Sequence, residues 1–152
     1  MKIAFFGHSC FQASEALAKQ LVSLLECVTG EREVEFYLGG YGEFDAFALE
    51  CCKTYRSSHK NASLVFVTPY ITHSYQKLHG LNKVFDYIIY PEIEDKPKRF
   101  AITYRNRWMV ESADFVICAI SQHRSGAYQA FRYAVRLGKP IYNLLLTPEN
   151  GL

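Results

Sequence analysis

The sequence lacks most of the marks that would assign it to a class at sight. No apolar run approaches the roughly 20 residues that span a bilayer, so a transmembrane helix is excluded and no membrane partner is expected. The opening stretch MKIAFFGHSCF has one lysine and is interrupted by Gly7 and His8, which reads as a first strand and not a signal peptide. The five cysteines (Cys10, Cys27, Cys51, Cys52, Cys118) are odd in number and contain no Cys-x-x-Cys pair. Buried, reduced thiols in a cytoplasmic protein are the expectation. The five histidines (His8, His59, His73, His79, His123) show no His-Glu-x-x-His spacing, so no metal is expected. Neither a G-x-G-x-x-G nor a Walker loop is present, and no cofactor is expected. The net charge of +2 is too small to imply bulk attraction to a polyanion.

What is present is an ordinary domain. The 152 residues are 49% hydrophobic and 21% charged, enough for one unit over 1–152 that buries about two-thirds of the surface its unfolded chain exposes. Aromatics make up 15%, which argues against a disordered chain.

Short apolar runs alternate with helical periodicity. KIAFF (2–6), VEFYL (34–38), SLVFVT (63–68), DYIIY (86–90), FVICAI (115–120) and residues 141–145 read as strands. Leu17, Leu21, Leu24, Leu25 and Val28 mark one amphipathic helix. Phe44, Phe47, Ala48, Cys51, Cys52 and Tyr55 mark a second. Residues 100–112 and 126–137 form two more, and 70–82 reads as a loop with one helical turn. Continuous apolar strands separated by helices predict an α/β fold: a Rossmann-like, doubly wound, mainly parallel sheet of about six strands, with helices on both faces.

Such sheets bind ligands beyond the carboxyl ends of their strands, where helix N-termini favour anions. Only a few segments fall there: Gly7-His8-Ser9, Gly39-Gly40-Tyr41-Gly42, Tyr70, and Ser121 to Gly126 with Ser125. Glycines and hydroxyls suit close approach to phosphate, although glycines that merely turn strand into helix would look the same. Asp45 and Glu43 lie on the same edge. Asp45 is placed to hold a ribose hydroxyl or act as a nucleophile, and either acid would also cap a helix.

Charge is segregated. Residues 26–50 hold seven acids and one base, whereas 96–139 hold nine bases and two acids. Within the basic block Arg105 lies four residues before Met109, at the core boundary near a helix start, where it suits a phosphate or carboxylate. A surface ion pair with Glu92 or Glu94 is the alternative. Arg107 is expected to face solvent, and Glu111 and Asp114 fall at the opposite edge of the sheet.

The run RNRWMVESAD (105–114) followed by FVICAI resembles a signature of the SLOG superfamily, the Rossmann-like nucleotide-binding group that includes DNA-processing (SMF/DprA) and LOG proteins. The likeness is nearest to a small bacterial and phage branch of unknown function. IAFFGH, GGYGEFDAFALE and AVRLGKPIYNL agree in order, so the resemblance covers nearly the whole chain. It implies a Rossmann-like fold, a nucleotide-type ligand at the strand ends already picked out, and homo-oligomers. The arginine used by LOG-type phosphoribohydrolases falls on Arg105. Their Pro-Gly-Gly-x-Gly-Thr-x-x-Glu motif falls on residues 122–130, where only Gly126 survives and Ala130 stands at the catalytic glutamate position.

The leading expectation is therefore a domain that senses, carries or sequesters a nucleotide or nucleotide derivative. Tyr41 or Tyr70 would stack on its base. A LOG-type N-glycosidic hydrolase or transferase using Asp45 or Glu43 is the second expectation. Single-stranded nucleic-acid binding through Lys98, Arg99, Arg124, Arg132 and Arg136 is the third, and the small net charge argues against it.

Overall fold

Alternation along each strand sets the architecture. In KIAFFG, Ile3 and Phe5 point to one side and Ala4 and Phe6 to the other, and all four are buried. A strand apolar on both sides needs cover on both faces. The computed structural model, which describes residues 1–71 and 75–146, supplies it with six strands and five α-helices, the fourth preceded by a 3₁₀ turn over Lys98–Phe100. These are β1 (Lys2–Gly7), α1 (Glu15–Thr29), β2 (Val34–Leu38), α2 (Glu43–Ser58), β3 (Ala62–Val67), α3 (Tyr75–Val84), β4 (Tyr87–Ile89), α4 (Ala101–Ser112), β5 (Phe115–Ala119), α5 (Gly126–Arg136) and β6 (Ile141–Asn143).

All pairings are parallel, in the order β4-β3-β2-β1-β5-β6. The chain winds outward from β1 to β4, then returns to the other side of β1 to lay down β5 and β6. Right-handed crossovers put connections running in opposite directions on opposite faces. Accordingly α1 and α2 bury Leu21, Leu25, Phe44 and Tyr55 against Ile3, Phe5, Phe36 and Leu64. On the far face α4 and α5 bury Met109, Val110, Ala130 and Ala134 against Ala4, Phe6, Val65 and Val116. The direction of winding reverses between β1 and β5, which creates a crevice at their carboxyl ends.

Three expectations need correction. The segment 70–82 is not a loop with a single turn: it contributes the ten-residue helix α3, while residues 72–74 lie outside the described ones. Its apolar positions 75, 78, 81 and 84 recur every three residues and so drift around a helix of 3.6 residues per turn, and Gly80 weakens the pattern further. The last strand stops at Asn143 because its amide accepts from the N–H of Ile120 and donates to the carbonyl of Ile120, both at 3.0 Å, as the chain turns. The thiols are all free, but only Cys51, Cys52 and Cys118 are buried. Cys10 sits in the loop before α1 and Cys27 on its outward side beside Glu26, and both are exposed. Burial pushes the Cys51 thiol up to about 11 and that of Cys118 to about 12, which keeps them unreactive.

Candidate functional site

At the carboxyl edge the strand-end carbonyls run out of ladder partners, and Arg105 satisfies two of them. It projects from the second turn of α4, and its Nη1 donates to the carbonyl of Val67 at 2.7 Å and to that of Gly39 at 3.1 Å. Its Nε donates to Oδ1 of Asn106 at 2.8 Å. The side chain is only 4% exposed, well inside the core boundary expected for it, and no ion pair with Glu92 or Glu94 forms. Gly39 makes this reach possible: a Cβ there would lie 2.9 Å from Nη1 and 3.2 Å from both Nη2 and Oδ2 of Asp45.

A planar guanidinium has five donors. Nε and Nη1 spend three of them on the protein, and among the described residues nothing accepts from Nη2. Among the described residues no buried side-chain nitrogen or oxygen is both sealed and unpaired, so Nη2 opens on the cavity that Arg105 lines. Burial lowers the affinity of Arg105 for its proton, opposed by the charge of Asp45. Asp45 makes no direct ion pair with it. Instead Oδ2 of Asp45 accepts the backbone N–H of Tyr41 at 2.8 Å and pins the loop between β2 and α2. Burial pushes its carboxyl up to about 6, although the Tyr41 hydrogen bond and Arg105 pull the other way.

The cavity measures about 180 Å³. Nine of the residues expected at this edge line it: Gly7, His8, Ser9, Gly39, Tyr41, Asp45, Arg105, Ser125 and Gly126. Gly40, Gly42, Tyr70 and Ser121 do not. The ring of Tyr41 lies 5.6 Å from the guanidinium carbon of Arg105, with 45% of the residue exposed. Tyr70 is 47% exposed in the turn after β3, its N–H donating to Thr68 Oγ1 at 3.2 Å.

Several expected contact groups are already engaged as acceptors. His8 Nε2 accepts the backbone N–H of Ser121 at 3.0 Å and of Gln122 at 3.3 Å, so this nitrogen is unprotonated and the imidazole holds the β5–α5 loop. Burial lowers the His8 pKa, consistent with a neutral ring. Ser125 Oγ caps α5 by accepting the N–H of Tyr128 at 3.0 Å. Glu43 Oε2 accepts the N–H of Phe11 at 2.8 Å, and Glu43 does not line the cavity. Gly7 serves packing, since a Cβ there would fall 2.1 Å from the ring of Phe44. Ala130 is buried on α5 against the sheet and does not line the cavity either.

Asn106 is the polar residue that sequence reasoning missed. It is buried and lines the cavity beside Arg105. Because its Oδ1 accepts from Arg105, its orientation is fixed, and its NH₂ group is left without a partner among the described residues. The adjacent Arg105-Asn106 pair was the available signal.

A second opening, about 770 Å³, runs between α4 and α5 and shares Asn106 and Gly126 with the cavity. It is lined by Arg107, Arg132 and Arg136, with Tyr104 and Tyr133. Arg107 lies 5.4 Å from the Tyr104 ring centre, and Arg136 lies 5.0 Å from that of Tyr133.

No family model matches the chain, and no curated protein does. Solved structures do match. DNA processing protein A (DprA) from Streptococcus pneumoniae superposes with a TM-score of 0.63 at 17% identity, over 92% of this chain and 48% of that one. This chain thus spans about half its length. DNA processing protein A from Helicobacter pylori, described for its single-stranded DNA binding mode, gives 0.66 at 16% identity, over 99% of this chain and 68% of that one. The structural genomics target TM1055 gives 0.59 at 14% identity, over 92% and 71%. At these identities the likeness is one of fold.

Proposed function

We propose that this domain binds a nucleotide-type ligand through its phosphate, with Arg105 as the anion-binding group. The observation that carries the reading is a buried guanidinium with no direct ion pair, whose Nη2 hydrogens are left over at the cavity. A buried cation without a counterion is costly, and an anionic ligand relieves that cost. Nη2 offers two N–H groups, each able to give a charge-assisted hydrogen bond to an anionic oxygen such as that of a phosphate. The N-terminus of α5, at Gly126, lines the same cavity and favours negative charge. Tyr41, which lines the cavity, and Tyr70, exposed in the turn after β3, would stack on a base.

The role is that of a sensor, carrier or sequestering protein acting in the cytoplasm, working as a homo-oligomer. Thermal shift against nucleoside mono- and diphosphates, ADP-ribose and cyclic nucleotides tests the ligand, and light scattering tests the oligomer. At a ligand concentration of 100 Kd the stabilisation is about 2.7 kcal/mol. It disappears in Arg105→Ala and falls sharply in Arg105→Lys, which keeps the charge and loses the planar set of donors that anchors the group to Gly39 and Val67 while Nη2 faces the cavity. No shift with any of these compounds sinks the reading.

A second reading is favoured by the continuity of the cavity with the α4–α5 groove. Arginines stacked on tyrosines along a groove suit a single-stranded nucleic acid, whose phosphates and bases they would meet in turn. The single-stranded DNA binding of the Helicobacter pylori neighbour supports this reading. Salt-sensitive binding of oligonucleotides, absent for mononucleotides, would promote it over the first.

A further inference from the structure

Asp45 is the one carboxylate among the cavity-lining residues. Its Oδ2 is committed to the N–H of Tyr41, and its other oxygen has no partner among the described residues. Both Oδ2 and the Arg105 guanidinium lie within 3.2 Å of the position a Gly39 Cβ would occupy, closer than van der Waals contact, so the acid and the base flank the same small volume. A phosphate held by Arg105 would be repelled by this carboxylate if it faced it directly. A hydroxyl would not be, because it donates to the free oxygen. The cavity thus makes two demands at once: an anion for Arg105 and a hydroxyl donor for Asp45. The Asn106 NH₂ adds a third polar contact, a donor for a phosphate or hydroxyl oxygen.

Size narrows the choice. The part of the cavity around Arg105 and Asp45 holds about 180 Å³, little more than the roughly 150 Å³ that encloses a benzene molecule, before it meets the α4–α5 groove at Asn106 and Gly126. A single sugar ring carrying a phosphate meets both demands in that space, and a nucleobase is left outside, toward Tyr41 and Tyr70. We infer that Asp45 is a specificity-determining residue that accepts a ribose hydroxyl, so that the site takes sugar phosphates that keep the 2′,3′-diol in preference to their deoxy counterparts. The inference rests on the phosphate-binding role of Arg105 proposed above. It predicts a preference opposite to that of a site built for a DNA strand. The elevated carboxyl of Asp45 fits a group whose desolvation outweighs the pull of Arg105, with which it makes no direct ion pair.

Calorimetric titration with adenosine 5′-monophosphate and its 2′-deoxy and 3′-deoxy analogues tests the assignment, in the wild type and in Asp45→Asn. Asparagine keeps an oxygen for the Tyr41 N–H while replacing the free acceptor with a donor. Removal of at least one hydroxyl weakens wild-type binding about tenfold or more, as a hydrogen bond to a charged group would. In Asp45→Asn the same comparison gives less than about a twofold difference. The inference is overturned if both deoxy analogues bind the wild type as well as the parent nucleotide while Arg105→Ala abolishes binding. The phosphate reading then stands and Asp45 is a loop cap only. If no nucleotide binds the wild type, both readings fall together. If Asp45→Asn does not fold, the wild-type comparison alone decides.

Discussion

The Nε2 of His8 accepts the backbone N–H of Ser121 at 3.0 Å, and so the end of β1 is tied to the loop leaving β5 by a titratable ring. The carboxyl edge on either side of that seam is held by groups whose protonation is altered by burial, and its stability should respond to pH in two opposed ways.

For His8 burial depresses the folded pKa below 6.5. Its contribution is present above pH 6.5 and lost as the pH falls through the folded value, when protonation removes the acceptor from two backbone amides. Melting temperatures between pH 7.5 and 4.5 should therefore drop less in His8→Gln, whose carbonyl still accepts but does not titrate. His8→Ala should cost about 1–3 kcal/mol at pH 7.5, because the Ser121 and Gln122 amides lose their acceptor. A pH profile identical in wild type and His8→Gln would refute the assignment.

Asp45 works in the other direction. Its carboxyl is raised from 3.8 to about 6, so its contribution is fully present below pH 3.8 and lost as the pH rises through about 6. Asp45→Asn should then be more stable than the wild type above pH 6, by on the order of 1–3 kcal/mol once partial exposure is discounted. The gain should vanish toward pH 4. Urea unfolding at pH 4, 6 and 8 reads this difference directly.

Arg105 carries structural weight apart from its proposed role toward an anion. Arg105→Met removes the donors to the carbonyls of Gly39 and Val67 and should lower stability by about 1–3 kcal/mol, measured by denaturant midpoint. A shift below about 0.3 kcal/mol would mean that water replaces the guanidinium at both carbonyls.

Gly7→Ala places a methyl group 2.1 Å from Cγ of Phe44 and should destabilise by about 1–3 kcal/mol. In a Phe44→Leu background the added cost of Gly7→Ala should shrink by half or more, since the two side chains compete for one space. Additive costs would place the strain elsewhere.

If a nucleic-acid strand occupies the α4–α5 groove, replacing Arg132 and Arg136 with alanine should reduce the slope of log K against log salt by about 1.4 for a single strand. Mononucleotide binding at Arg105 should be unchanged. An unaltered slope would take the strand off this groove.

The sheet was legible because β1, β2, β3 and β5 are apolar on both sides and bounded by Gly7, Gly39, Pro69 and Ser121. The face of α2 was equally plain: the stripe from Phe44 to Tyr55 is the buried face. The helix α3 was hidden by its three-residue spacing and Gly80. At the site, position along the strands brought Arg105, Asp45 and the glycines to one edge. Sequence gave no sign of which donors were spare. That the amides of Ser121 and Tyr41 are consumed by His8 and Asp45 follows from loop geometry, which no spacing rule encodes. Asn106 was missed because a polar residue beside an arginine on a helix ordinarily faces solvent.

The order β4-β3-β2-β1-β5-β6 has one more effect. Asp45 arrives with the outward winding and Arg105 only on the return, so no fragment ending before α4 contains both. β1 stays an unpaired edge on one side until β5 emerges to close it. If a nucleotide binds at Arg105 as proposed, a chain interrupted between Tyr90 and Pro97 would yield two pieces that bind it only when mixed. Recovery of binding would then report the docking of the two halves, a readout of assembly that needs no attached label.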